Sequence, residues 1–195
     1  WQTTFGGRGY DTGYNLIQSK DGGFVLVGMM EDIATNTTDA YLLRTDVNGT
    51  LLWSQTFGAE WDDQAYSLVE MPNGNLAITG YVGVSETDWD LLFWLTDADG
   101  AHLTNLTFGG SFGEYGYQLV PKRTGGFFIT GSTQSYGSGG SDLLLLLVSE
   151  EPQVHNGTPP PILPYYLIGL GIIVIVLPVM IGLFFMRKRD TKTIK

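Results

Sequence analysis

The chain contains no cysteine, which excludes disulfide staples, thiolate metal centres and cysteine nucleophiles and leaves stability to packing and hydrogen bonding. Histidine is nearly absent too. The two histidines are His102, in or near an expected strand, and His155, in the stretch before the uncharged run, so neither marks a Ser-His-Asp triad or a histidine-based zinc site, and no enzyme is expected. Positive charge is scarce over most of the length. Up to residue 161 five basic residues (Arg8, Lys20, Arg44, Lys122 and Arg123) stand against nineteen acidic ones. Such a body has no basic face to displace counterions from phosphates, which sets nucleic acid aside as a partner. Finally, residues 162–186 carry no charge of either sign.

That last run, ILPYYLIGLGIIVIVLPVMIGLFFM, is long enough as a helix, at about 1.5 Å per residue, to cross about 30 Å of hydrocarbon. A transmembrane helix is expected over residues 162–186, with a kink at Pro178 and with Tyr165 and Tyr166 at one interface. Arg187, Lys188 and Arg189 follow at once, while no lysine or arginine lies between Arg123 and Arg187. The positive-inside rule therefore puts residues 187–195 in the cytoplasm as a short basic tail. The expected location is the plasma membrane, single-pass, with the N-terminal body outside and the lipid bilayer as first partner. Residues 150–161, EEPQVHNGTPPP, are polar and proline-rich and are expected to form an extended stalk. The sequence opens on Trp1 without the pattern of a secretory signal peptide, and since an exported body needs a targeting signal, an upstream stretch is expected.

Residues 1–149 repeat at a spacing of about 52 residues, the mark of a modular architecture. Residues 1–7 (WQTTFGG) match 53–58 (WSQTFG) and 103–110, which end Thr107-Phe108-Gly109-Gly110. Residues 14–23 (YNLIQSKDGG) match 66–75 (YSLVEMPNGN) and 117–126 (YQLVPKRTGG). Apolar strings at 24–28, 76–80 and 127–131 follow, and then 39–46 (DAYLLRTD), 90–97 (DLLFWLTD) and 142–149 (DLLLLLVS). Each unit thus holds four short apolar segments separated by glycine-bearing turns, a strand signal without helical periodicity. The Asp21-Gly22-Gly23, Asn73-Gly74, Asn48-Gly49 and Asp99-Gly100 links predict tight hairpins in which glycine takes positive φ. Four antiparallel strands per unit of about 50 residues describe the blades of a β-propeller. The expected fold is all-β: about three blade equivalents, with both faces of each Leu-rich strand covered by neighbouring blades, plus one C-terminal transmembrane α-helix. Residues 1–7 are expected to form an outer strand that completes the last blade. Propellers typically have four to eight blades, so three predict an open arc, completed by upstream blades or, as the alternative, by oligomerisation.

The strings at 5–7, 21–24 and 45–53 resemble the repeats of secreted and cell-surface β-propeller proteins of bacteria and archaea, the delta-sixty and related classes. The resemblance covers residues 1–149 and implies a propeller outside the cell without implying one activity. Asp46-Val47-Asn48-Gly49 with Trp53 is also similar to the tryptophan-docking repeat of quinoprotein propellers. Leu103 takes the tryptophan position in the next unit, so no quinone cofactor is expected.

In such a meander the long connections gather at one end and the tight turns at the other. The loops 31–38, 84–89 and 132–141 differ in length and composition, which marks their end as the seat of binding and, given the anchor, as the end facing away from the bilayer. Acidic residues recur there: Asp11, Asp63 and Glu114 before the first strand of each unit, and Asp39, Asp90 and Asp142 opening the third. Short carboxylates of this kind accept loop N–H groups and fix turns. An oxygen-rich loop also suits a hard cation, and calcium is the one cofactor the sequence raises. Asn36, Asn48, Asn105 and Asn156 stand in Asn-x-Thr sequons, candidate glycosylation sites on the expected exterior. The function expected is a membrane-anchored surface binding or adhesion module for surface proteins or glycans. The alternatives are an envelope structural protein without a discrete ligand and a glycan-processing enzyme.

Overall fold

The computed structural model describes residues 1–58, 60–149 and the backbone of residues 173–175. The described chain is all-β, with three antiparallel sheets laid down one after another. The first consists of β1 (Asp11–Gln18), β2 (Phe24–Asp32), β3 (Thr37–Thr45) and β4 (Leu51–Phe57), paired in that order. The second repeats it with β5 (Gln64–Glu70), β6 (Leu76–Ser85), β7 (Asp88–Thr96) and β8 (His102–Phe108). The third has three antiparallel strands, β9 (Glu114–Pro121), β10 (Phe127–Thr133) and β11 (Asp142–Val148). A short β12 (Ile173–Ile175) runs parallel along the far edge of β11, with Val174 opposite Leu145.

The period-two alternation of each strand decides which sheet it faces. In the middle sheet Leu76, Ile78, Leu92 and Trp94 pack toward the first, against Val25, Val27, Ala40 and Leu42. The residues between them, Ala77, Leu91 and Phe93, pack toward the third, against Leu119, Phe127, Ile129, Leu144 and Leu146. The expectation that a Leu-rich strand is covered on both faces thus holds for β7. It fails at the ends of the series: Leu143 of β11 is 58% exposed, because β11 has a neighbouring sheet on one side only.

The hairpin turns follow the glycines. Gly22 and Gly74 adopt φ of +89°, and Gly49 and Gly100 adopt +80°. Asp46 and Asp97 shape two of these turns identically. Asp46 Oδ1 accepts the N–H groups of Asn48 and Thr50, both at 2.8 Å; Asp97 Oδ1 accepts those of Asp99 and Ala101 at 2.9 and 2.8 Å. At this turn end the first two sheets are also tied by polar contacts. Lys20 Nζ donates to the carbonyls of Met71 and Pro72 at 2.9 and 2.8 Å. Arg44 pairs with Asp21 at 2.9 Å and donates to Ala98 O at 3.1 Å.

Two expectations meet a different outcome. Residues 1–7 form no strand and are not paired with β11; they lie on the first sheet instead, with Trp1 near Phe24 at 6.0 Å between ring centroids. A single extended segment needs a sheet edge to bond to, and β11 presents its edge to β12. The loops 31–38 and 84–89 are also shorter than read, because pairing continues to Asp32 with Thr37 and to Ser85 with Asp88. The stalk, the basic tail and the 162–186 span lie outside the described residues except for β12, and among the described residues no helix is long and apolar enough to cross a membrane.

Candidate functional site

The long connections meet at one end, as their order requires, and the recurring carboxylates sit there in different settings. Glu114 opens β9 and is fully buried. Its Oε1 accepts Thr133 Oγ1–H at 2.8 Å and the N–H groups of Gln134 and Ser135 at 3.2 and 3.1 Å, and its Oε2 accepts Gly110 N–H at 2.7 Å. One side chain thereby ties the β8–β9 link to the β10–β11 loop. Asp63, also buried, accepts Gly83 N–H at 2.9 Å, and its own N–H donates to Thr38 O of the first sheet at 2.7 Å. Asp11 accepts Gly7 N–H at 2.7 Å through Oδ2, whereas its Oδ1 is buried with no hydrogen-bond partner.

The carboxylates that open the third strands meet these at glycines. A Cβ at Gly58 would collide with both Asp39 and Asp63, so the two acidic side chains approach one Cα across the sheet boundary. Gly109 is pressed by Asp90 in the same manner, beside the Gly110 N–H that Glu114 holds. Burial pushes the Asp39 carboxyl above the usual range, and the nearby charge of Asp32 adds to the effect. Asp142 instead closes its own loop, accepting Ser138 N–H at 2.8 Å. Calcium takes six to eight oxygens; among the described residues no three or more histidine, aspartate or glutamate side chains gather in a way that would hold a metal.

The loop half of the first strand of each sheet, β1, β5 and β9, carries an aromatic group. Tyr14, Tyr66 and Tyr117 each stand at a β-bulge, where pairing shifts register between Gly13 and Asn15, Ala65 and Ser67, and Gly116 and Gln118. Opposite each bulge the second strand has a glycine, Gly28, Gly80 or Gly131, whose missing Cβ leaves room for the first strand's backbone. Tyr66 sits between Tyr14 and Tyr117, with ring centroids 5.0 and 5.7 Å away. Tyr81, Tyr115 and Trp89 extend the group, at 5.3 Å for Tyr81 with Tyr115 and 6.3 Å for Tyr115 with Trp89. Tyr115 and Tyr117 are stacked at 6.2 Å with planes 4° apart. Gln64 Oε1 accepts the hydroxyls of both Tyr14 and Tyr66, at 3.0 and 3.1 Å. Burial, then the neighbouring Tyr14, Tyr117 and Tyr115, push the Tyr66 hydroxyl up to about 12; burial raises Tyr81 as well. The surface remains accessible, because Tyr14 is 41% and Tyr117 51% exposed. The signal for this group was in the sequence: a tyrosine opening each second motif, followed at a fixed interval by a glycine.

Elsewhere the described surface is shallow. A hollow bordered by Phe57, Val82 and Trp94 measures about 30 Å³, room for little more than water. Another, of about 110 Å³, lies between Phe5 and the outer face of the first sheet. Of the sequons, Asn36 and Asn48 are exposed in loops, Asn36 at a φ of 56°. Asn105 lies within β8, its Oδ1 3.0 Å from His102 Nε2, and Asn156 lies outside the described residues, as do Arg187, Lys188 and Arg189. No family model matches this chain, and no curated protein matches it.

Proposed function

We propose that the three sheets are consecutive blades of a β-propeller held outside a membrane by a helix across residues 162–186, and that the loop end binds surface glycans or proteins. The observation that carries the binding reading is the clustered, partly exposed aromatic surface of Tyr14, Tyr66, Tyr115 and Tyr117. Tyrosine offers a large apolar ring with a polar tip and few torsions to immobilise, which suits both the apolar faces of sugars and protein contacts. The propeller reading is supported by antiparallel sheets that follow in series and pack face to face. The anchor is supported by the uncharged run and its basic flank. A spanning helix requires residues 173–175 to leave the edge of β11.

Two measurements test this. In cells, an epitope inserted at residues 135–140 should be labelled by an external antibody, and a tag after residue 195 should be labelled only after permeabilisation; the reverse pattern overturns the anchor. On a glycan array, and in pull-downs from the cell surface, the wild-type chain should retain ligands that Tyr117→Ala loses at least tenfold. Wild-type retention by both Tyr14→Ala and Tyr117→Ala would remove the aromatic surface as the binding site.

A further inference from the structure

We infer that the partner of the loop end is a positively charged segment of another protein, whose arginine guanidinium groups lie on the rings of Tyr66, Tyr115 and Tyr117 inside a rim of carboxylates. The inference rests on the aromatic surface as a binding site and names the chemistry that the surface takes. Tyr66, Tyr81, Trp89, Tyr115 and Tyr117 all belong to the second and third sheets, so sheets preceding residue 1 would join the series beside Tyr14, outside this set.

Charge is divided between the two ends of the sheets. Lys20, Arg44, Lys122 and Arg123 all stand at the turn end: Lys20 lies in the link after β1, Lys122 and Arg123 in the link after β9, and Arg44 pairs with Asp21. Among the described residues Arg8 alone is basic at the loop end. There Asp32, Asp62 and Glu86 are exposed and Asp88 is half-buried, in addition to the carboxylates that recur with the repeat. Two of these reach the rings. After burial and Tyr66, the charge of Asp62 adds to the upward push on the Tyr81 hydroxyl, and after burial, Tyr117 and Glu114, that of Asp88 adds to the push on Tyr115. Asp88 Oδ1 is itself buried without a hydrogen-bond partner, an acceptor that a donating cation would satisfy.

The hydroxyls favour the same ligand. Tyr14 and Tyr66 give their O–H protons to Gln64 Oε1, so toward a ligand their oxygens can only accept. Ring faces, oxygen lone pairs and carboxylates together repel anions and attract cations, the rings through their quadrupole. Guanidinium fits such a surface better than ammonium, because it is flat, stacks on aromatic rings and carries five donors for the acceptors around them. A neutral glycan could stack on the same rings but would leave the acidic rim without a counterpart, whereas a basic segment matches both and is steered to its site by the rim.

The test varies charge at constant shape. The full-length chain in nanodiscs, with empty discs as the blank, is titrated calorimetrically with a short arginine-containing amidated peptide and with the same peptide carrying citrulline, which keeps the planar group and loses the charge. The wild-type chain should bind the arginine peptide at least about fivefold more tightly. Asp88→Asn should lower that affinity at least about threefold and leave the citrulline peptide unchanged. Tyr117→Ala, at a half-exposed ring, should lower it at least about fivefold, and Tyr117→Phe, which keeps the ring, should preserve it. No heat from the arginine peptide, equal affinity for the two peptides, or undiminished affinity in Tyr117→Ala overturns the guanidinium site. If Tyr117→Ala nonetheless loses ligands on the glycan array, the aromatic surface stands as a site for uncharged ligands and only the charge preference falls.

Discussion

The two ends of the sheets are built from the same residue types in opposite ways. At the turn end one solution is copied: Asp46 and Asp97 hold their hairpins through corresponding N–H groups at nearly the same distances, and the glycine that follows takes the same φ. At the loop end the repeated acidic residues do different things. Glu114 collects four donors, Asp63 joins two sheets, and Asp142 folds back on its own loop. The contacts of Asp46 and Asp97 close within 4 residues of chain, while Glu114 reaches partners 20 and 21 residues away. Local structure repeats because its cause is local. The loop end diverged because its carboxylates bond to whatever the neighbouring loop presents.

Removing one carboxylate from each end exposes the difference most strongly. Glu114→Ala strands the Gly110 N–H and the Thr133 hydroxyl and leaves the N–H groups of Gln134 and Ser135 only their second acceptors, Gly113 O and Thr133 Oγ1, and should destabilise the chain by about 3 kcal/mol. Asp97→Ala frees two N–H groups at a partly exposed turn where water replaces the carboxylate, and should cost about 1 kcal/mol. Urea denaturation of the full chain in detergent, followed by tryptophan fluorescence, measures both. Equal losses would mean that the buried network carries no special weight.

Glycine separates the ends next. At Gly80 an added Cβ runs into the carbonyl of Gln64, so Gly80→Ala must push β5 and β6 apart at the bulge that holds Tyr66. A loss of about 3 kcal/mol is expected, together with weaker ligand retention. At Gly74 the nearest atom to an added Cβ is 3.5 Å away, and the obstacle is φ of +89°. Gly74→Ala should therefore cost only about 1–2 kcal/mol of backbone strain, without touching the aromatic surface.

The same contrast decides how much was legible in the sequence. The strands from β1 to β11, their order and the turn glycines could be read, because a hairpin's glycine and its Asx residue lie inside the motif that announces them. The pairing of Asp39 with Asp63 at Gly58, and the donors of Glu114, could not, since they join units that the period merely sets side by side. Tyr14, Tyr66 and Tyr117 fall between these cases. Their recurrence was visible as the first letter of a strand, but that they share one surface follows from bulges, and a bulge is specified by both strands together. Residues 1–7 carry a strand's sequence and are not a strand, because strand formation needs a partner edge.

Titration challenges the two ends from opposite sides of neutrality and produces the smallest effects. At the turn end, backbone N–H groups hold the Asp46 and Asp21 carboxyls below their usual range, with Arg44 also lowering Asp21. Lowered folded values stabilise the fold above the unfolded carboxylate range, and that contribution fades as the pH falls through it. At the loop end the raised Tyr66 hydroxyl works in the other direction: the fold retains a proton that the unfolded chain releases near pH 10, so stability is lost as the pH climbs from there toward about 12. Melting curves against pH should thus show an acid limb flattened by Asp21→Asn and an alkaline limb flattened by Tyr66→Phe, with neither variant altering the opposite limb. Ultraviolet absorbance of tyrosinate provides an independent reading, since the late-ionising component of the folded chain should shrink in Tyr66→Phe. An alkaline limb unchanged by that substitution would assign the loss to groups outside the aromatic cluster and separate the loop end's stability from its candidate binding surface.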